Sequence, residues 1–140
     1  MSIVNVNLTE DRALCNYVAV YGTLRAGFHN NRLLEGARLV DTGVSEFWGT
    51  MFSAGGFPIL SCVEPTSKIV VEIWEILDDD MFYHLDCLEG YPGWYDRDIK
   101  TFSINGEPIQ AWIYHQDELF PQLTEVESGD WKQFVESNRV

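Results

Sequence analysis

Glu89 is the residue in this chain whose type and position best suit acid–base chemistry. In the stretch "LDCLEGYPGWYDR" (Leu85–Arg97) it stands four residues after Leu85 and seven after Phe82. On a helix those intervals place it along the apolar stripe rather than opposite it. It also falls in the last helical turn, where the dipole disfavours a negative charge. Both circumstances push a carboxyl pKa upward, and an acid tuned that way can serve as a general base near neutral pH. The alternative is a solvated glutamate at a frayed helix end. Asp86 falls on a different part of the helix surface and is expected to be solvated.

A second candidate lies in "NYVAVYGTLRAGFHNNRLL" (Asn16–Leu34), where an alternating apolar run reaches Tyr21 and stops at Gly22. Gly22 permits an unusual φ or a close approach by a ligand. A strand ending this way leaves successive N–H groups outside any ladder, free to hold an anionic oxygen or a developing oxyanion. Arg25 can add positive charge there or serve as a structural ion-pair partner. Taken alone, such a turn can equally be only a turn.

Other chemistry-bearing residues form no motif. His29, His84 and His115 are scattered without HxH or HExxH spacing, and Cys15, Cys62 and Cys87 lie outside any CxxC unit. No metal site or disulfide framework is therefore expected, and reduced thiols in a cytoplasmic compartment fit the pattern. Cys87 and His84, three apart on one helix, could touch, but a Cys–His nucleophile pair still needs an orienting group and an oxyanion site. Trp74, Trp94 and Trp112 read as core or pocket wall. P-loop and dinucleotide fingerprints are absent.

The elements that must position these residues are mostly strands. Asn16–Gly22 and Lys68–Leu77 are β-rich, the second apolar on both faces as if buried on both sides. Ala37–Phe52 reads as one bent strand or two short ones, with Gly43 and Gly49 as candidate bulges. "WYDRDIKTFSI" and "EPIQAWIYHQ" flank Asn105-Gly106, a type I′ hairpin signal. Asp78 is a plausible N-cap for a helix with Met81, Phe82, Leu85 and Leu88 as its apolar stripe, stopped by Gly90 and Pro92. Ser128 can cap a C-terminal helix that buries Trp131, Phe134 and Val135, and a shorter helical turn can carry Leu33 and Leu34. The stretch "SIVNVNL" is an edge strand or a loose extension, so residues 1–15 stand apart as an N-terminal extension. Few helices among five or six strands indicate an α+β chain with a small, strongly curved sheet or barrel, organised as one domain over residues 1–140.

The bulk properties agree. Of the 140 residues, 46% are hydrophobic, enough for one core. Nine basic against twenty-two acidic residues give a formal net charge of -13, which disfavours nucleic acid and anionic membrane surfaces as partners. The N-terminus has neither a basic n-region nor a long apolar core of the secretory kind, and no apolar run approaches the roughly 20 residues of a membrane span.

Taken in order, "YGTLRAG", "NNRLL", "GGFP", "LDCLEGYPGWYDR" and "AWIY" resemble the gamma-glutamyl cyclotransferase-like superfamily, in particular its gamma-glutamylamine cyclotransferase and AIG2-like branch, over roughly Tyr17 to Tyr114. The resemblance implies a small mixed β-barrel with flanking helices and a cavity at one end. It implies a substrate-gripping turn at Tyr21, Gly22, Thr23 and Leu24, acting largely through backbone amides, a catalytic glutamate at Glu89 and a pocket-lining tyrosine at Tyr114. Gly55–Pro58 corresponds to a pocket-wall loop. The implied activity is cyclisation of a gamma-glutamyl group to 5-oxoproline with release of an amine or amino acid, with Glu89 as base and then acid. No cofactor is implied, and the partner is a small gamma-glutamyl molecule bound by a monomer or homodimer. The alternative on the same fold is a small-molecule binding or regulatory module without turnover.

Overall fold

The computed structural model describes residues 7–138. Five strands close into a barrel: β1 (Tyr17–Val20), β2 (Arg38–Ser45), β5 (Val70–Glu75), β6 (Asp96–Ile104) and β7 (Glu107–His115), in the order β1-β5-β2-β6-β7. Four of the five contacts are antiparallel, and the barrel closes through a parallel pairing of β1 with β7 at Val18 and Trp112. A second sheet holds β3 (Thr50–Ser53), β4 (Pro58–Ser61) and the short β8 (Thr124–Glu125), in the order β4-β3-β8. Around these lie α1 (Leu8–Leu14), a 3-10 helix (His29–Leu34), α2 (Asp79–Glu89) and α3 (Trp131–Ser137). Among the described residues no helix is long and apolar enough to cross a membrane.

The alternation of the strands explains the core. Val18 and Val20 of β1, with Trp112 and Tyr114 of β7, belong to one buried cluster, which also takes Phe82 and Leu85 of α2. Ala19, Ala111 and Ile113 belong to another, with Val71, Ile73, Phe102 and Trp131. Successive side chains of a strand point to opposite faces, so the barrel wall is apolar on both. The β5 expectation holds in this sense: Val71 and Ile73 are buried on one face, while buried Glu72 on the other meets Arg25 at 3.3 Å.

Several local expectations are met and others change. Asn105 and Gly106 have φ of 51° and 84°, as a type I′ turn between β6 and β7 demands. The Ala37–Phe52 stretch divides into β2 in the barrel and β3 in the second sheet. The bulge in β2 falls between Leu39 and Asp41, not at a glycine. Gly43 and Gly49 instead mark close crossings, since a Cβ would lie 2.7 Å from the Ser103 carbonyl oxygen at the first and 3.0 Å from that of Ser61 at the second. The cap of α3 is Asp130, whose side chain accepts from the Gln133 amide, and Ser128 instead accepts from the Asp130 amide at 3.2 Å. The proposed N-terminal edge strand lies largely outside the described residues. From Leu8 onward the chain is helical and ties to α2 through the Arg12–Asp79 ion pair at 2.7 Å.

Candidate active site

The topology gathers four chain segments at one end of the barrel. Because β1 and β7 are parallel, both deliver their C-terminal residues there, and antiparallel β6 begins there. The turn after β1, Tyr114 near the end of β7, Tyr95 just before β6 and Glu89 at the end of α2 thus border a common cavity of about 390 Å³.

Helix α2 sets the position of Glu89. The Asp78 side chain accepts from the Met81 amide at 2.8 Å, and Asp79 and Asp80 occupy the first turn, where negative charge complements the helix end. At the other end Gly90 is left-handed, with φ 67°. Its amide reaches the Cys87 carbonyl at 3.3 Å, and that of Tyr91 reaches the Asp86 carbonyl at 2.9 Å. These two bonds form a Schellman motif, so Glu89 is the last helical residue. Phe82 and Leu85 are fully buried and hold the helix face that carries Glu89 against the barrel. Leu88, counted in the apolar stripe, is instead well exposed and borders the cavity.

Glu89 itself is half-buried, open to the cavity and otherwise enclosed by protein. Burial pushes its carboxyl pKa from 4.5 up to about 7, with no cation or hydrogen bond among the described residues to offset the lost hydration.

Asp86 departs from the sequence expectation. It is buried, and Arg97 of β6 grips it with two parallel bonds, Nε to Oδ1 at 2.9 Å and Nη2 to Oδ2 at 3.1 Å. The guanidinium also reaches Asp11 at 3.0 Å and lies against the rings of Phe82, Tyr91 and Trp112, each within 4.5 Å of its centre. Tyr114 donates its hydroxyl to Asp86 at 2.5 Å. The Asp86–Arg97–Tyr114 network thus clamps α2 to the barrel one turn before Glu89.

On the facing wall, the turn after β1 arranges its polar atoms asymmetrically. The carbonyls of Gly22, Thr23 and Leu24 accept from the Arg25 amide (3.0 Å), the Asn30 amide (3.1 Å) and the Asn31 side chain (2.8 Å). The amides of the same three residues have no acceptor among the described residues, although Gly22 and Leu24 are buried and all three border the cavity. Buried N–H groups are nearly always paired, so three in succession on residues that border a cavity suit an anionic guest. Gly22 has no left-handed φ, and a Cβ there would stand 2.7 Å from Cδ and Cγ of Pro58, so close packing against that ring calls for glycine. Pro58 belongs to the Gly55–Pro58 loop, of which Gly56, Phe57 and Pro58 line the cavity.

Arg25 turns away from the cavity to pair with Glu72 at 3.3 Å and Asp130 at 2.9 Å, the structural alternative. Tyr21 lines the cavity and donates its hydroxyl to the Tyr114 carbonyl at 2.7 Å. Sequence reasoning missed Tyr95. It is buried beside Glu89 on the cavity wall, burial and then the Glu89 charge raise its pKa, and its hydroxyl has no partner among the described residues. Its signal was present: Tyr95 and Arg97 alternate inward at the start of β6, as the period of a strand requires.

Comparison with known proteins bears on this site. The family model described as "Gamma-glutamyl cyclotransferase, AIG2-like" matches residues 18–133. A provisionally named gamma-glutamylcyclotransferase of Methanocaldococcus jannaschii is 37% identical over 122 residues, covering 84% of this chain and 97% of that protein. The gamma-L-glutamyl-butirosin B gamma-glutamyl cyclotransferase of Niallia circulans is 27% identical over 123 residues, covering 82% of this chain and 74% of that one. The crystal structure of an AIG2-like protein from Mus musculus superposes with a TM-score of 0.71 at 22% identity, over 82% of this chain and 88% of the other, a likeness of fold.

Proposed function

Because the chain belongs to the gamma-glutamyl cyclotransferase, AIG2-like family, we propose that it closes a gamma-glutamyl group into 5-oxoproline and releases the amine that group carried. The observation that carries this reading is the presence, around one cavity, of a carboxyl group whose pKa is about 7 and three successive amides that have no acceptor among the described residues.

The substrate's α-amine arrives mostly as an ammonium, with a pKa of about 8. Glu89, ionised in part at neutral pH, takes one proton from it. The freed nitrogen attacks the γ-carbonyl carbon of the same molecule, and an oxyanion forms as the carbonyl π-bond breaks. Collapse of that intermediate breaks the bond to the departing nitrogen, which takes up the proton held by Glu89, while the ring nitrogen sheds its second proton to solvent and leaves the neutral lactam. A carboxyl poised near the working pH performs both transfers, and such catalysis typically contributes about 10²–10⁴ in rate. Nucleophile and electrophile share one molecule, so the cavity needs only to fold it into a near-attack shape, where effective molarities reach roughly 10⁵–10⁸ M.

The amides of Gly22, Thr23 and Leu24 hold the glutamyl carboxylate or the developing oxyanion, and a donor of the latter kind is worth about 2.7–4 kcal/mol. Tyr21 and Tyr114 shape the wall, their hydroxyls being committed to Tyr114 and Asp86. Tyr95 is the phenol left free to meet the substrate. Phe57 and Trp94, partly exposed with ring centres 6.4 Å apart, flank the outer part of the cavity, where the departing group lies.

Incubation with a panel of gamma-glutamyl amines and gamma-glutamyl dipeptides tests the proposal, with 5-oxoproline as the readout. Release that tracks the protein and vanishes in Glu89→Gln is the expected result. Binding of panel members without release by the wild-type chain would favour the non-catalytic module.

A further inference from the structure

On the opposite face of β7 from Tyr114, His115 is buried between two carboxylates. Its Nε2 lies 2.7 Å from Asp98 Oδ2, and its Nδ1 lies 2.8 Å from Asp117 Oδ1. Half-buried Cys62, just past β4, joins this group: its amide donates to the same Asp117 oxygen at 2.8 Å. One ligand atom from each of Cys62, His115 and Asp117 lies within 4.8 Å of the others. None of these residues borders the cavity described above.

We propose that Cys62, His115 and Asp117 form a binding site for a thiophilic divalent cation of the zinc class, with water completing the coordination. The donor chemistry selects the ion. One thiolate, one imidazole and one carboxylate suit borderline-soft Zn²⁺ or Co²⁺ and suit Mg²⁺ or Ca²⁺ poorly. With metal–ligand bonds of about 2.0–2.3 Å, tetrahedral ligands stand roughly 3.3–3.7 Å apart. From a span of up to 4.8 Å the widest pair must therefore close by about 1.1–1.5 Å, while the 2.8 Å contact between His115 and Asp117 opens by about 0.5 Å or more. Asp98 supplies the independent sign of a prepared site. Asp98, accepting from Nε2–H, holds the ring with Nδ1 toward Asp117 and Cys62, the carboxylate–histidine–metal arrangement, and the ion would take the place of the proton between Nδ1 and Asp117, which passes to solvent. On binding, the thiol gives its proton to solvent and the metal–sulfur bond replaces the S–H bond.

Local spacing hides this group because the ligands come from separate strand ends: Cys62 follows β4, while His115 closes β7 and Asp117 follows it. The ion would staple the β4 edge of the small sheet to the barrel, where the Gln116 amide already reaches the Leu60 carbonyl at 2.8 Å. Its role is structural and separate from turnover.

The test uses untagged full-length protein treated with chelator and titrated with Co²⁺. A thiolate-to-cobalt charge-transfer band saturating at one ion per chain is expected, retained in Cys87→Ser and lost in Cys62→Ser. Zn²⁺ should raise the Tm of the wild type and of Cys87→Ser but not of Cys62→Ser, by mass action on the folded state. Asp98→Asn changes an exposed side chain, and it should weaken Co²⁺ binding by about 10–100-fold. The proposal is overturned if no band forms, if the band survives in Cys62→Ser or is lost in Cys87→Ser, or if Asp98→Asn binds as tightly as the wild type.

Discussion

The burial that lifts the Glu89 pKa from 4.5 to about 7 also makes its ionised form a destabilising feature of the folded chain. The folded state keeps a proton that the unfolded state releases between those two values, so stability falls as pH rises through that window and stays lower above it. Each step of one in pKa is worth about 1.4 kcal/mol, which bounds the effect at roughly 3 kcal/mol. Glu89→Gln removes the titration and keeps the shape. It should therefore be more stable than the wild type in urea at pH 8, by up to about 3 kcal/mol, with this difference absent at pH 4. Equal stability at both pH values would mean that Glu89 is well hydrated. The placement of Glu89 on the stripe with Leu85 and Phe82 was legible from helical spacing. That of Asp86 was not, because its partner Arg97 lies eleven residues later on another element. A lone acid on a helix reads as solvated until the strand that pairs with it is placed.

The turn after β1 and the loop before β4 are coupled by the contact between Gly22 and Pro58. Gly22→Val places its Cβ 2.7 Å from the proline ring, so the loop must move. Overpacking of this kind costs about 1–3 kcal/mol. The displaced amides should also raise KM for any gamma-glutamyl substrate, and an unchanged KM and Tm would show the turn to be tolerant and uninvolved. Helix α2 and β6 are coupled through Asp86 and Arg97, buried together. Asp86→Asn leaves the guanidinium with Asp11 alone and should destabilise the chain by about 3 kcal/mol in chemical denaturation. A loss below about 0.5 kcal/mol would make the network incidental. Local chemistry announced the Asp78 cap, the Gly90 stop and the Asn105-Gly106 hairpin. It misassigned the start of α3, because Ser128 and Asp130 are both good caps and only packing of Trp131 chooses between them.

At the scale of the molecule, apolar alternation indicated a small curved sheet, and the resemblance implied a barrel. Neither revealed the parallel closure of β1 on β7 or the separate β4-β3-β8 sheet, since pairing between strands far apart in sequence leaves no mark in local periodicity. That closure brings the Gly22, Thr23 and Leu24 amides, which have no acceptor among the described residues, and the carboxyl at position 89 to one cavity. The claim that they act together is tested most directly by the pH dependence of kcat/KM for 5-oxoproline release, measured on wild type and Glu89→Gln. The acidic limb for the wild type should rise through a pKa near 7, and the variant should lack that limb and lose at least about 10²-fold in rate on the plateau above it while remaining folded. A folded variant that keeps the wild-type rate and the same limb would contradict the account.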